Sequence, residues 1–210
     1  MNLLVIGNGA QKDGLYADSS GSDVAIDWIN DIHQADKAKK YDGCIDLLFE
    51  NRAERIGELK SLQAQVMIVN AVVERLDEIG EDFIRINGWP TFLERNVVEA
   101  ACRHDEVKDK AENIFSFFGK TIEWVPDISG FISARVIAVI INEAYLALEE
   151  NISDKAGIDT AMKLGTNYPF GPFEWSHKIG LKNVYALLAH LAREQKRYEP
   201  AALLIKEAKT

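Results

Sequence analysis

Short, mostly apolar runs recur through the first part of the chain, at residues 3–6, 24–29, 44–49, 66–69, 83–86, 97–100 and 121–125, the first of them unbroken. Runs of this length bounded by turn residues fit strands buried on both faces. Between them the apolar spacing lengthens to that of a helix. At 52–62 it brings Ile56, Leu59 and Leu62 onto one face, and at 105–120 it does the same for Val107, Ala111, Ile114, Phe115 and Phe118. Asp105 and Glu106 suit the positive start of that second helix, and Gly119-Lys120 its end. Residues 35–41 predict a short helix at most. Alternation of this kind predicts a parallel sheet covered by helices. One crossover breaks the pattern: residues 7–22 offer only Ala10, Leu15, Tyr16 and Ala17 among glycines, serines and aspartates, which predicts a loop rather than a helix.

The pattern changes character after residue 126. Phe131, Ile132, Val136, Ile137, Val139, Ile140, Ile141, Ala144, Leu146 and Leu148 wrap almost the whole circumference of a helix, as expected of a buried one. Arg135, Asn142 and Glu143 interrupt this run well short of the roughly 18 apolar residues of a membrane span. A second helix is predicted over 159–163, then a polar turn and a tight corner at Pro169, Gly171 and Pro172. Val184, Leu187, Leu188 and Leu191 make an amphipathic helix with an apolar face to spare, and 201–208 a short terminal one. The expectation is an α/β domain over 1–126, joined by residues 126–130 to an all-α domain, 127–210 in all. There is no internal repeat.

With 210 residues, 47% of them hydrophobic, the chain has enough apolar material for a core. A formal charge of -9 argues against a nucleic-acid surface, which needs clustered Lys and Arg. Cys44 and Cys102 sit in apolar surroundings without CxxC spacing and read as reduced thiols, consistent with a cytoplasmic protein. The amino end lacks the basic region of a signal peptide. His33, His104, His177 and His190 are scattered without metal-ligand spacing, so no metal site is expected.

Gly7-Asn8-Gly9 directly follows the first apolar run and raises the GxGxxG dinucleotide fingerprint. Its third glycine position is Lys12, and the helix whose N-H groups would hold the phosphates is not predicted. Two readings stand, a tight turn with no cofactor and NAD bound by a remodelled loop through Gly7 and Gly9. Asp27 and Asp31 lie near the offset at which an acidic side chain binds ribose.

Gly130-Phe131, Arg135, Glu143-Ala144, the run Asp159 to Gly165, the motif from Tyr168 to Glu174 and Gly180-Leu181 together resemble the C-terminal domain of the 3-hydroxyacyl-CoA dehydrogenases. The resemblance implies a shortened, degenerate Rossmann-like domain followed by a helical domain that closes over acyl-CoA and pairs two subunits into a homodimer. It also implies that the 44–49 strand leads to a glutamate beside the nicotinamide, here Glu50. Glu50 equally suits the positive start of the following helix.

In that family a histidine takes the hydroxyl proton and a glutamate orients it. The glutamate position is Glu99 and the histidine position is Asn87, whose carboxamide hydrogen-bonds but does not shuttle a proton near neutral pH. The family's two serines after an asparagine fall on Ala71 and Val72 after Asn70, and its asparagine before the arginine falls on Ala134. Glu99 has a bland alternative as a partner of Arg135 or Arg95. Two functions follow from the resemblance. One is an NAD-dependent oxidoreductase of fatty-acid metabolism with altered site residues. The other is a catalytically inactive relative that holds acyl-CoA or a partner as a homodimer.

Overall fold

Leu3 and Val5 of β1 (Asn2–Ile6) join one hydrophobic cluster and Leu4 and Ile6 another, so the first apolar run lies buried on both faces. The computed structural model describes residues 1–16 and 24–210, in two compact units, Met1–Phe131 and Ile132–Thr210. In the first unit, β1 is second in a seven-stranded sheet. From edge to edge the order is β2 (Ala25–Ile29), β1, β4 (Gly43–Asp46), β6 (Met67–Asn70), β7 (Phe83–Ile86), β8 (Val97–Ala101) and β9 (Thr121–Trp124). β3 (Lys40–Tyr41) and β5 (Gln63–Ala64) form a separate small parallel ladder. One side of the large sheet is covered by α4 (Lys108–Phe117), whose Ala111, Ile114 and Phe115 join the cluster of Leu3, Val5 and Ile45. The other side is covered by α2 (Ala53–Lys60) and α3 (Leu76–Ile79), through Leu59, Leu76 and Ile79. This is an α/β, Rossmann-like arrangement whose order reverses between β1 and β4.

Three expectations are corrected here. The crossover after β1 does contain a helix, α1 (Gly9–Leu15). It shows no amphipathic stripe because it is only seven residues long; Asn8 and Gln11 cap it reciprocally, and burial of Leu15 anchors it. The loop expected over 7–22 lies beyond the described residues from 17 to 22. Second, the sheet is not wholly parallel, because β7 and β8 pair antiparallel. The turn through Trp89 and Pro90 returns the chain directly, and a parallel return would have needed a longer crossover. Third, residues 35–41 contain no α-helix; β3 occupies 40–41, after a tight 3-10 turn at Ile32–Gln34.

The second unit is built on α5 (Ser133–Glu149), against which α7 (Pro172–Ile179), α8 (Leu181–Ala192) and α9 (Ala202–Ala208) pack. α6 (Lys155–Thr166) packs on α7. The second predicted helix is thus longer than 159–163, and the corner after it opens directly into α7. α5 is not buried all round, since Ile132, Val136 and Val139 are exposed along the line that also carries exposed Glu143. The face of α8 expected to be spare is spent inside the unit, with Val184, Leu187, Leu188 and Leu191 all buried. Buried Asn142 secures the chain before α9, donating to Glu199 O at 3.0 Å and accepting from Ala201 N at 2.8 Å.

α9 is tied down by one carboxylate. Glu207 accepts from Tyr145 Oη at 2.7 Å and from Lys155 Nζ at 2.7 and 2.8 Å. Burial opposes its ionisation, but Lys155 and Tyr145 outweigh it and hold the Glu207 carboxyl below its usual value of 4.5. Glu174, held by Lys163 at 2.5 Å and by Gly171 N at 3.0 Å, is lowered for the same kind of reason. A carboxyl lowered on folding contributes stability above its unfolded value that is lost as pH falls through the folded one. Thermal stability of the full chain is therefore expected to fall as the pH drops below about 4.5. Melting curves between pH 6 and 3 check this, with Glu207→Gln flattening the dependence.

Candidate functional site

The C-terminal ends of the sheet strands carry a continuous line of polar contacts. Antiparallel pairing of β7 with β8 sets Arg85 opposite Ala101 and Ile86 opposite Ala100, so the next residue along, Asn87, meets Glu99. The Asn87 backbone N-H donates to Glu99 O at 3.0 Å, and its side-chain Nδ2 donates to Glu99 Oε2 at 3.0 Å. Two residues twelve apart in sequence thus become a pair through the register of the hairpin. Asn87 is buried and Glu99 half-buried. Next to them Asn70, at the end of β6, accepts from Gly88 N at 3.0 Å and donates to Leu47 O at 3.3 Å. A side chain at Gly88 would lie 2.8 Å from Asn70 Cγ, so glycine is required there for the two strand ends to meet.

The positions expected to touch a substrate oxygen are apolar and buried: Ala71, Val72 and Ala134. The two arginines named as alternative partners of Glu99 each make a contact within their own unit. Arg135 donates to Tyr198 Oη at 3.1 Å, and Arg95 stacks over Phe92. What this pair can do chemically is hold a carboxylate in a fixed orientation. A carboxamide beside a carboxylate offers hydrogen bonds and no proton carrier near neutral pH.

Thr91, in the turn after this pair, has φ 72 and a buried hydroxyl without a partner among the described residues. A β-branched residue is strained in that backbone region. Thr91→Gly is expected to stabilise the protein by about 1 kcal/mol, read from the urea midpoint.

At the other end of the line, the two glycines and Glu50 are not gathered around a common point. Gly7 directly follows β1 and is buried under the Trp28 ring, while Gly9 is exposed at the start of α1. Glu50 lies four residues beyond β4, exposed and paired with Arg52 at 2.9 Å. It does not begin α2, which starts at Ala53. The carboxylate that does sit at the end of β4 is Asp46, fully buried and held by Arg55 from α2 through two hydrogen bonds of 2.8 Å. Burial pushes its carboxyl up from the ordinary value, against the pull of Arg55. Asp27 is bound to Lys39 at 2.7 Å and Tyr41 at 2.9 Å, and Asp31 caps the turn at His33 N at 3.0 Å. A cavity of about 350 Å³ nearby is lined by Asp31, His33, Glu50, Arg52, Arg55 and Glu58 among others. No cluster of metal-ligating side chains occurs among the described residues, and no helix among them is long and apolar enough to cross a membrane.

The sequence reading missed Gln11, Trp28 and the ion pairs of Asp46 and Arg85. Isolated polar residues at strand ends carry no periodic signal. Only the placement of Asp46 and Arg85 inside otherwise apolar strand runs could have marked them.

The family model of the 3-hydroxyacyl-CoA dehydrogenase C-terminal domain matches residues 130–209. Over those residues the chain is similar to the 3-hydroxyacyl-CoA dehydrogenase family, a match that covers less than half of the chain. Among curated relatives of that family, 3-hydroxyadipyl-CoA dehydrogenase of Escherichia coli K12 is 37% identical over 114 residues, 53% of this chain and 24% of that protein. A probable 3-hydroxybutyryl-CoA dehydrogenase of Bacillus subtilis is 38% identical over 133 residues, covering 62% and 46% respectively. These matches span less than half the length of either relative. The crystal structure of (S)-3-hydroxybutyryl-CoA dehydrogenase from Ralstonia eutropha superposes with a TM-score of 0.72 at 21% identity, covering 98% of this chain and 92% of that one. That likeness establishes the dehydrogenase fold for both the sheet and the helices.

Proposed function

We propose that this relative of the dehydrogenase family does not carry out dehydrogenation, and that it serves as a homodimeric module that binds an acyl-CoA or a partner. The observation that carries the reading is the Asn87 carboxamide hydrogen-bonded to Glu99 at 3.0 Å, in the place of the family's proton carrier. Removing a hydride from a hydroxyl requires a group that takes the hydroxyl proton, and a carboxamide does not titrate near neutral pH. Ala71, Val72 and Ala134 offer the substrate oxygen no side-chain hydrogen bond. Binding of acyl-CoA is supported by the match of 130–209 to the family domain and by the CoA substrates in the relatives' names. Dimer formation is supported by the exposed apolar line of Ile132, Val136 and Val139. The domain boundary we adopt is a Rossmann-like part at 1–126 and a helical part at 127–210.

The test combines three measurements on the full chain. NADH oxidation with acetoacetyl-CoA is expected to stay at background, while acetoacetyl-CoA alone gives saturable heat in calorimetry. Light scattering is expected to give twice the chain mass. The second reading is a working NAD-dependent dehydrogenase with an unidentified proton donor, favoured by the retention of Glu99 in a fixed orientation. Turnover that Glu99→Gln abolishes would establish it and end the first.

A further inference from the structure

We propose that the turn following β1 is closed by this chain's own Gln11 and Trp28 and does not receive the pyrophosphate of a dinucleotide. This inference stands on a different part of the sheet from the Asn87–Glu99 pair, so either can fail without the other. In dinucleotide-binding folds the phosphates lie on the glycine turn, in the crevice where strand order reverses, and are held by the first N-H groups of the following helix. In this chain the reversal falls between β1 and β4, and two side chains fill the turn there.

The Gln11 carboxamide spans the crevice. Its Nε2 donates to Leu47 O, just beyond β4, at 2.8 Å, and its Oε1 accepts from Asn8 N at 2.9 Å. Asn8 Oδ1 in turn accepts from Gln11 N at 3.0 Å. Two N-H groups at the head of α1 are thereby committed to intrachain acceptors. The Trp28 indole lies against Gly7. A Cβ on Gly7 would meet its Cζ2 at 3.0 Å and Gln11 Oε1 at 3.3 Å, and Trp28 Nε1 donates to Gly7 O at 3.0 Å. The glycine thus makes room for the chain's own side chains, where the fingerprint keeps it clear for the turn and the phosphates.

The remaining features agree. At the third glycine position Lys12 places its ammonium 5.6 Å from the centre of the Trp28 ring instead of letting helix and strand approach. α1 is only seven residues long and carries a weak dipole. β2 is the edge strand of the sheet among the described residues, where a full dinucleotide domain continues with a further strand. The residues present therefore do not fit NAD at this turn.

Gly9 provides the discriminating variant. It is exposed, and a Cβ there meets nothing within 4 Å, so Gly9→Val leaves the chain's own packing intact while obstructing any ligand laid on the turn. NADH and NAD+ at millimolar concentration are expected to give no saturable heat and no shift in melting temperature with either the wild type or Gly9→Val. NADH binding that weakens tenfold or more in Gly9→Val overturns the proposal. NADH binding that Gly9→Val leaves unchanged is binding away from this turn and supports it. Acetoacetyl-CoA binding measured without nucleotide reports separately on the module reading.

Discussion

Arg85→Met is expected to destabilise the protein by roughly 3 kcal/mol, the low end of the range for breaking a buried ion pair, because the Asp127 carboxylate left behind is partly exposed. Arg85 lies in β7 at 0% exposure, and burial pulls its guanidinium down from the ordinary arginine value. It is tolerated because its donors are engaged: one pairs with Asp127, another reaches Ala71 O at 2.9 Å, and the guanidinium lies 4.7 Å from the Phe131 ring centre. Asp127 also accepts from Leu76 N at 3.0 Å, and Gly130 N donates to Val72 O at 2.7 Å. One side chain thus fastens residues 127–131 to the segment that follows β6. Methionine fills much of the volume but leaves the Asp127 carboxylate without its cation and Ala71 O without a donor. The urea midpoint should fall accordingly, with a melting temperature lower by on the order of 10 °C. Adding Asp127→Asn to Arg85→Met should cost less than the sum of the single changes, because the stranded charge is gone. Additive losses would show that the pair is not coupled.

The sequence disclosed the parts of this fold that repeat. The seven strand runs and the helices at 53–60 and 108–117 announced themselves because burial, on both faces in the central strands and on one stripe in the helices, leaves a trace in the sequence. α1 left no such trace, being held by a cap and one leucine. The reversal of β8 was hidden because direction is set by the turn at Trp89 and Pro90, and an apolar strand reads alike in either direction. α5 looked buried all round because its exposed line is valine and isoleucine instead of charge. At the site, the family resemblance located Asn87 and Glu99, and the hairpin register explains why that spacing makes a pair. Glu50 lies farther from its strand than the apolar run suggests, because β4 ends at Asp46, whose buried carboxylate is held by Arg55. The closed turn was unreadable from the glycines alone, since the same Gly7 serves a ligand or a tryptophan.

Gly171→Ala is expected to destabilise the protein by roughly 2–4 kcal/mol, summing overpacking with a lost helix cap. Gly171 has φ -73, which any residue adopts, so the penalty is purely one of space. A Cβ there would lie 2.3 Å from Asp159 Cγ and 2.4 Å from its Cβ, and so short a side chain moves away only if α6 moves with it. Asp159 is the group that caps α7 from the neighbouring helix, accepting from Phe173 N at 2.8 Å and Glu174 N at 3.2 Å. Glu174 closes the same turn by accepting from Gly171 N at 3.0 Å, and Pro172 supplies a first helical residue that needs no N-H partner. The motif that carried the resemblance is therefore a helix start shared between α6 and α7. Gly165, equally part of that resemblance, is the internal contrast: a Cβ there meets nothing within 4 Å, in a helix where alanine is favoured over glycine. Gly165→Ala should stabilise by roughly 0.5–1 kcal/mol while Gly171→Ala destabilises. If Gly165→Ala nonetheless weakens acyl-CoA binding, that glycine keeps a surface clear for ligand, and the helical unit retains a binding role independent of the sheet.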